Sequence, residues 1–297
     1  MWKRDAGQKK KIFRNILLGM AGTCAAGLAV LFLESHRELN IFRVNNYRLT
    51  LPGGPKGRIL FVTDYHEAVG GKMNPALLRA AREQKPDLIL IGGDMVNGKK
   101  EDEDYRPAVD LINGLVDIAP VYYSYGNHER RMITWSVEGN YHWEDYRKAL
   151  DPRVHFLVNE DILVPLPGGN VRLYGYEMER RFFIRHGEAL TKAAMVQTLG
   201  EVKKDAPVIL LAHDPTWGPV YGEWGADLTL SGHYHGGVIR FPLLGGFVSP
   251  KFKIFPHFDR GYYEEGTTRM LVGTGLGQHT IPVRFCNLPE LVVIDLV

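Results

Sequence analysis

Five short polar signatures occur in a fixed order along the chain, and each one follows an apolar segment. They are Asp64-Tyr-His66, Gly93-Asp94, Gly126-Asn127-His128, Ala212-His213 and Gly232-His233-Tyr-His235. The apolar segments are rich in Ile, Leu and Val, which is typical of strands buried on both faces. Because the carboxyl ends of such strands meet at one edge of a sheet, the five loops are predicted to share one site. This arrangement favours a layered α/β fold.

Alternating strands and helices support the same fold class. Apolar runs predict strands at 59–63, 88–91, 121–125, 208–211 and 228–230, and helices are predicted at 74–83 and 105–116. Asn74 is predicted to cap the first helix, with Pro75 at its first position. Short strands become denser from Val154 onward, at 154–157, 162–166, 171–176, 238–241, 270–274 and 291–296. We therefore predict two stacked mixed β-sheets flanked by helices.

The side chains of the signatures are typical ligands of divalent metal ions. They comprise two carboxylates, one amide oxygen and four imidazoles, from Asp64, Asp94, Asn127, His66, His213, His233 and His235. Mixed nitrogen and oxygen ligands suit Mn, Fe, Co or Zn better than Mg or Ca. Two neighbouring ions need a bridging oxygen, and Asp94 is the candidate because Gly92 and Gly93 allow close backbone approach.

Such a site favours hydrolytic phosphate chemistry. A metal-activated hydroxide would attack phosphorus, because divalent ions lower the pKa of water. His128 would then face the substrate, where it could stabilise charge or protonate the departing oxygen. The sequence assigns no substrate-binding residue.

Taken together, the signatures resemble the calcineurin-like metallophosphoesterase superfamily, whose pattern is Asp-x-His, Gly-Asp, Gly-Asn-His, a lone His and Gly-His-x-His. The resemblance covers residues 41–297 and is greatest to the membrane-associated bacterial branch of predicted phosphodiesterases and lipid-precursor pyrophosphatases. It implies a double-sheet sandwich flanked by helices and a catalytic role for His128. It also implies one metal bound by Asp64, His66, Asp94 and His235, and a second bound by Asp94, Asn127, His213 and His233.

Four positions depart from the usual pattern of that superfamily. Asn97 stands where a second acid commonly follows Gly-Asp, and Glu129 stands where Asp is commoner. Glu67 follows the first signature, and Tyr234 replaces a frequent Thr. None of the four is a metal ligand, so the departures bear on substrate preference and on the surroundings of the metal site.

Two segments outside the signatures each have two interpretations. Residues 179–185 combine aromatic rings with three cations. In one interpretation they bind an anionic headgroup or contact a membrane surface. In the other they form a solvated turn. The solvated turn is the favoured interpretation. An aromatic group after the third signature would either line a substrate pocket or lid, or cover the sheet edge; it comprises Trp135, Tyr141, His142, Trp143 and Tyr146.

The N-terminal residues predict a membrane anchor. The segment from Asn15 to Leu33 carries no formal charge, and a helix of this length rises about 28 Å, close to the hydrocarbon thickness of a bilayer. Basic residues precede it, which places the N-terminus in the cytoplasm and the C-terminal body outside. A cleaved signal peptide is the alternative, supported by the small residues at 21–27, and a lipoprotein signal ending at Cys24 is a third interpretation.

The sequence therefore predicts a basic cytoplasmic N-terminus at 1–14, a transmembrane anchor at 15–33, a spacer at 34–40 and an extracytoplasmic catalytic domain at 41–297. The substrate would be a phosphorylated small molecule or a lipid-linked compound, cleaved at a phosphodiester, pyrophosphate or phosphomonoester bond. A net charge of +2 does not favour nucleic acid as a partner. The alternative function is a non-catalytic interaction scaffold, but retention of every ligand position and of His128 favours the enzyme.

Overall fold

The computed structural model describes residues 2–66, 68–98, 104–137, 143–184, 186–278 and 282–297. Helices α1 to α8 span Trp2–Leu39, Asn74–Gln84, Arg106–Val116, Asn127–Val137, Trp143–Ala149, Arg180–Phe183, Lys192–Leu199 and Gly218–Trp224. Strands β1 to β14 span Arg43–Leu49, Gly57–Val62, Leu88–Ile91, Val121–Tyr123, Val154–Phe156, Glu160–Leu166, Gly169–Tyr176, Val208–Ala212, Leu228–Ser231, Arg240–Phe241, Gly245–Gly246, Gly261–Glu265, Thr268–Val272 and Glu290–Leu296.

Two six-stranded mixed sheets form the body of the protein, which confirms the predicted fold class. The first sheet has the order β1-β14-β2-β3-β4-β5, and the second has the order β12-β13-β9-β8-β7-β6. Strands β2, β3 and β4 pair in parallel, as do β7, β8 and β9. Antiparallel pairs occur towards the edges, such as β14 with β2 and β6 with β7.

The central strands are buried on both faces, which explains their continuous apolar sequences. Ile59 and Phe61 of β2 pack towards Ile209 and Leu211 of β8, so the two sheets share one core. The outer face of the first sheet is covered by α2 and α3, and that of the second by α7 and α8. The stacking brings the loops after β2, β3, β4, β8 and β9 to one region.

Helix α2 begins at Asn74 as predicted, but the predicted role of Asn74 as its cap is wrong. Met73 occupies the cap position. The Asn74 side chain instead donates to the Pro107 carbonyl at 2.8 Å and accepts a hydrogen bond from the Tyr65 hydroxyl at 2.6 Å. These bonds tie the loop after β2 to the start of α3.

One strand prediction needs correction, and strand β1 was missed. The strand predicted at 238–241 is confined to Arg240–Phe241, which pairs with Gly245–Gly246 outside both large sheets. Strand β1 was not predicted, although it pairs along its whole length with β14.

Helix α1 is continuous from Trp2 to Leu39, so the predicted spacer is helical over most of its length. It is the one described helix long and apolar enough to cross a membrane, and its apolar side chains are exposed. Its last turns contact the body, because Ser35 Oγ accepts from the Arg284 N–H at 3.1 Å and Glu38 Oε2 accepts from the Asn287 N–H at 2.9 Å. A signal sequence would have the same length and composition, so the anchor and its boundaries stay predictions.

Candidate metal centre

Strained backbone is concentrated at the predicted ligands. The angle φ is positive at Asp64 (50°), His66 (44°), Asp94 (54°), His233 (68°) and His235 (47°). Each left-handed L-residue costs of order 1–3 kcal/mol and persists only where the surrounding structure enforces it. Five such residues among the predicted ligands indicate that the loops are shaped for function rather than for stability.

Asp94 lies among three of the histidines. Its Oδ2 is 3.0 Å from His213 Nε2, and 3.8 Å from Nε2 of both His66 and His128. The carboxylate is almost completely buried. Its other oxygen, Oδ1, accepts the His128 backbone N–H at 2.8 Å, which fixes the direction of the carboxylate.

Asp64 lies beside a second set of imidazoles. Its Oδ1 is 3.3 Å from His235 Nε2 and 3.7 Å from His213 Nε2. The Nε2 atoms of His66 and His235 are 3.3 Å apart. Both oxygens of Asp64 also accept from the His233 backbone N–H, at 2.9 and 3.0 Å, which ties the first signature to the last.

These contacts form two neighbouring groups of ligand atoms. Asp64, His66 and His235 make one group, and Asp94, His213 and His233 make the other; within each, the ligand atoms lie within 4.8 Å of one another. A third group of the same size joins His66, Asp94 and His128. The structure thus brings six of the seven predicted ligands together in two adjacent groups. Asn127, the seventh, lies at the start of α4 and lines the adjoining cavity with His213.

Backbone carbonyls orient three of the imidazoles. Nδ1 of His213 lies 2.7 Å from the Gly92 oxygen, Nδ1 of His235 lies 3.2 Å from the Gly277 oxygen, and Nδ1 of His128 contacts the Asn97 oxygen. A carbonyl accepts hydrogen bonds only, so each Nδ1 carries a proton, and in the neutral imidazole each Nε2 presents a lone pair. This arrangement is the usual support of metal-binding histidines.

Glycines allow the ligand loops to touch. A Cβ at Gly126 would lie 2.2 Å from Asp94 Oδ1, and a Cβ at Gly232 would lie 2.0 Å from Asp64 Oδ2. Any side chain at either position would therefore displace a carboxylate. The glycines that precede Asn127 and His233 are needed for the two aspartates to reach the site.

The donor set fits divalent cations. Asn127 Oδ1 and His233 Nε2 are buried and have no hydrogen-bond partner among the described residues. Burial lowers the pKa of His233 to about 3, so its imidazole is neutral and can donate a lone pair. Buried acceptors of this kind, beside two carboxylates, are satisfied by cations.

Comparison with known proteins agrees with this geometry. A model of the calcineurin-like phosphoesterase family matches residues 57–237. The chain belongs to this family. As a member, it is a metal-dependent phosphoric ester hydrolase, and its clustered His and Asp groups could bind the divalent ions that the family uses.

Three similar proteins align with different fractions of this phosphoesterase. The uncharacterized metallophosphoesterase YkuE of Bacillus subtilis (strain 168) is 25% identical over 97% of this chain and 98% of its own. The phosphodiesterase YaeI of Escherichia coli (strain K12) is 29% identical over 65% of this chain and 66% of its own. The crystal structure of TT1561 of Thermus thermophilus covers 74% of this chain and 90% of its own, with 14% identity and a TM-score of 0.42.

Glu129 of the phosphoesterase joins the second and third signatures, a role that the sequence did not indicate. Its Oε2 accepts from the N–H groups of Asp94 and Gly126, both at 2.8 Å. Its Oε1 accepts from the Met95 N–H and the Tyr123 hydroxyl, both at 2.7 Å. The side chain is fully buried. Glu129 therefore positions the loops that carry Asp94 and its neighbours without itself being a ligand.

We expect Glu129→Gln to lower activity or metal affinity by about 10–100-fold. The amide can accept at one end only, so N–H groups that now bind a carboxylate oxygen would face an NH₂ group. The measurement is hydrolysis of an aryl phosphodiester as a function of added metal. Glu144→Gln on the exposed side of α5 is the matched control and should behave as wild type. Equal rates in the two variants would contradict this role of Glu129.

In the absence of metal, the pKa values of Asp64 and His213 are both raised. Burial raises the pKa of Asp64 to about 7. Burial lowers the pKa of His213, but the carboxylates of Asp94 and Asp64 outweigh it and raise that pKa to about 10. Both groups must lose a proton before they bind a cation.

Metal affinity is therefore expected to fall with decreasing pH. Below pH 10 a proton on His213 competes with the metal, at about tenfold in affinity for each pH unit, and below pH 7 a proton on Asp64 adds to it. Calorimetric metal titration in two buffers of different ionisation enthalpy measures the protons released. Release of about one to two protons per chain near neutral pH is expected, one from His213 and a fraction from Asp64. No release, with pH-independent affinity, would contradict these pKa shifts.

A cavity of about 390 Å³ adjoins the metal centre. Its wall contains Tyr125, Gly126, Asn127, Arg130, Arg131, Thr134, Tyr176, Met178, Arg180, Phe183, Ile184 and His213. The segment 179–185, for which a solvated turn was favoured, thus contributes to the cavity instead, although Arg185 lies outside the described residues. The ring of Phe183 also packs against His233, with centroids 4.7 Å apart.

The described aromatic side chains that follow the third signature lie in the core and not in the cavity wall. Trp143 and Tyr146 are buried in the core of the first sheet. The Trp143 ring packs edge to face against Tyr125, and the Tyr146 hydroxyl is hydrogen-bonded to that of Tyr123 at 3.1 Å. They cover the sheet rather than line the cavity. Tyr141 and His142 lie outside the described residues, as does the side chain of Trp135.

Proposed function

We propose that this phosphoesterase uses two divalent ions to hydrolyse a phosphodiester that carries an apolar or aromatic substituent. Asp64, His66, Asp94 and His235 would hold one ion, and Asp94, Asn127, His213 and His233 would hold the other. The observation that carries the proposal is the position of Asp94, whose carboxylate lies between the two groups of imidazoles at 3.0–3.8 Å from three Nε2 atoms. A carboxylate in that position could be shared by the two ions.

The protein groups around the ions have separate roles. Divalent ions, when bound, supply Lewis acidity and lower the pKa of water. Burial lowers the pKa of His128, although Asp94 acts in the opposite direction, so the imidazole is neutral at neutral pH. With Nδ1 held by the Asn97 carbonyl, Nε2 can accept a proton and pass it to the departing oxygen.

The cavity supports an anionic substrate with an organic substituent. Arg130, Arg131 and Arg180 contribute positive charge to its wall, and Arg130 is held by Glu177 at 2.8 Å. Guanidinium groups suit phosphate oxygens. Tyr176, Met178, Phe183 and Ile184 provide apolar surface beside them. The name of the Escherichia coli relative, a phosphodiesterase, agrees with this substrate class.

A substrate panel tests the proposal. Purified full-length protein would be assayed with an aryl phosphodiester, an aryl phosphomonoester and a diphosphate ester, each with Mn, Zn, Co or Mg. We expect metal-dependent hydrolysis, fastest with the diester, and loss of about 100-fold in His128→Ala. A protein that binds metal but hydrolyses none of the three would instead be a scaffold of the same fold.

We also propose that α1 anchors the protein in the cytoplasmic membrane with the catalytic domain outside. The charge-free part of α1 and the basic residues before it support this orientation. Protease added to intact cells should degrade the C-terminal body while leaving cytoplasmic markers intact. Protection of the body until the cells are lysed would contradict the orientation.

A further inference from the structure

A dense group of exposed apolar side chains lies between Phe241 and Phe255. We call it the apolar knob; it consists of Phe241, Leu243, Leu244, Phe247, Phe252, Ile254 and Phe255. Outside α1, the described part of the chain has eleven exposed large hydrophobic residues, and these are seven of them. Leu243 is fully exposed, and Phe252 is 68% exposed. Exposed apolar surface of this density marks an interaction site.

The apolar knob has defined internal structure. The rings of Phe241, Phe247 and Phe255 pack edge to face, with centroids 5.7–6.3 Å apart. The Phe255 N–H donates to the Phe247 carbonyl at 3.0 Å. At the base, Arg240 Nη1 forms an ion pair of 2.9 Å with Asp259, whose carboxylate also accepts from the Gly246 N–H. The exposed side chains therefore lie on an ordered hairpin formed by β10, β11 and the residues that follow them.

The apolar knob is joined to the end of α1 by short contacts. The Arg240 N–H donates to the Phe285 carbonyl at 3.0 Å. Arg284, the residue before Phe285, donates its backbone N–H to Ser35 Oγ at 3.1 Å. Ser35 follows directly on Leu33 and Glu34, where the charge-free segment of α1 ends. The base of the knob thus lies within about 15 Å of that end. A bilayer that holds α1 would pass beside the knob.

The surrounding segment offers an exposed cation, Lys253, to an anionic surface, while Arg240 and Lys251 are paired with Asp259 and Asp214. Between Val238 and Phe258 there is no Asp or Glu, whereas Arg240, Lys251 and Lys253 are basic. Lys253 is exposed, and Lys251 is bound to Asp214 at 2.7 Å. Exposed apolar side chains with nearby cations are typical of segments that lie in a membrane interface.

We propose that the apolar knob is a second membrane contact, inserted into the headgroup and acyl boundary of the bilayer that holds α1. The inference rests on the proposed anchoring by α1 but not on the proposed hydrolysis. It also places the cavity next to the membrane surface. Lys251 Nζ, from the knob segment, lies 5.3 Å from the centroid of the Phe183 ring, which forms part of the cavity wall.

Depth-dependent quenching tests the proposal on the full chain. Cys24 and Cys286, the free cysteines, would be replaced by Ser, and a single cysteine placed by Leu244→Cys would carry a polarity-sensitive fluorophore. Leu163→Cys, at an exposed apolar position of β6, the edge strand of the second sheet, is the matched control. The protein would be reconstituted in vesicles of phosphatidylcholine and phosphatidylglycerol with and without acyl chains that carry bromine.

We expect bromine to quench the label at position 244 by about twofold or more and to leave the label at position 163 unchanged. Equal quenching by aqueous iodide at both positions would overturn the proposal. Protection of position 244 from bromine and iodide alike would also overturn it, because a protein contact would then cover the knob. Phe252→Cys provides a second labelled site on the knob if the first variant does not fold.

Two further readouts separate this inference from the proposed function. Hydrolysis of a soluble aryl phosphodiester, measured on the same labelled samples, reports folding and activity. Absence of hydrolysis with quenching present would contradict the phosphoesterase proposal alone. Resistance of the protein to alkaline extraction reports insertion of α1. Extraction-resistant protein without quenching at positions 244 and 252 would contradict the knob alone.

Discussion

Asp94→Asn is expected to lower phosphodiester hydrolysis on the order of 1000-fold. The side chain is nearly isosteric, so the loop geometry should survive, but the charge that would join two cations is lost. Asp94 Oδ2 faces three imidazoles and is buried away from water, so solvent cannot replace the lost charge. Steady-state hydrolysis of an aryl phosphodiester with saturating metal measures the loss.

Asp110→Asn is the matched control, because Asp110 is an exposed residue of α3. Its activity should equal that of the wild type. Thermal unfolding of both variants shows whether a loss of activity reflects misfolding. A folded Asp94→Asn protein that keeps more than about a tenth of wild-type activity would contradict the bridging role.

Arg284→Met is expected to destabilise the folded protein by about 3 kcal/mol. Arg284 is fully buried, and burial lowers its pKa to about 10. Its guanidinium donates to the carbonyls of Thr274 at 2.8 Å and Gly277 at 2.9 Å, and to that of Asn287 at 3.1 Å. Methionine fills similar volume but donates nothing, so these carbonyls would lose their hydrogen bonds in the interior.

The same substitution should also reduce activity, because the Gly277 carbonyl orients His235. The free energy of unfolding in denaturant measures the stability change. Arg269→Met is the matched control, since Arg269 forms an exposed pair with Glu264 and should matter by less than about 1 kcal/mol. Similar stability of the two variants would show that the buried hydrogen bonds of Arg284 are replaced by other groups.

The sequence predicted the ligand loops because their pattern is local. Each ligand follows an apolar strand, and strand ends such as Val62 and Ser231 differ from the prediction by one residue. Parallel strands buried on both faces have continuous apolar sequences, so their ends are conspicuous. The grouping of the predicted ligands into two adjacent sets depends on how the two sheets stack, which the order of the signatures does not specify.

Features that depend on distant contacts could not be predicted. Strand β1 contains Asn45 and Asn46 and lies at a sheet edge, so it lacks an apolar run and forms because β14 offers a partner. Asn74 has the local pattern of a helix cap, yet hydrogen bonds to Tyr65 and Pro107 determine its role. Glu129 binds N–H groups of two loops, a role that no local pattern reveals.

The cavity wall illustrates the same point. The cations and aromatics of the segment 179–185 favoured a solvated turn, because charge runs are usually solvated. The fold instead places Arg180 and Phe183 beside the metal centre, with the Phe183 ring against His233. The composition of the cavity wall therefore depends on the packing of α6 against the candidate site, which no local pattern reveals.

The most direct test of the central claim is anomalous diffraction from crystals of the protein grown with Mn. We predict two anomalous peaks about 3.5–4 Å apart, with the carboxylate of Asp94 between them. One peak should lie beside Asp64, His66 and His235, and the other beside His213 and His233. A single peak, or none within reach of Asp94, would contradict the two-metal account.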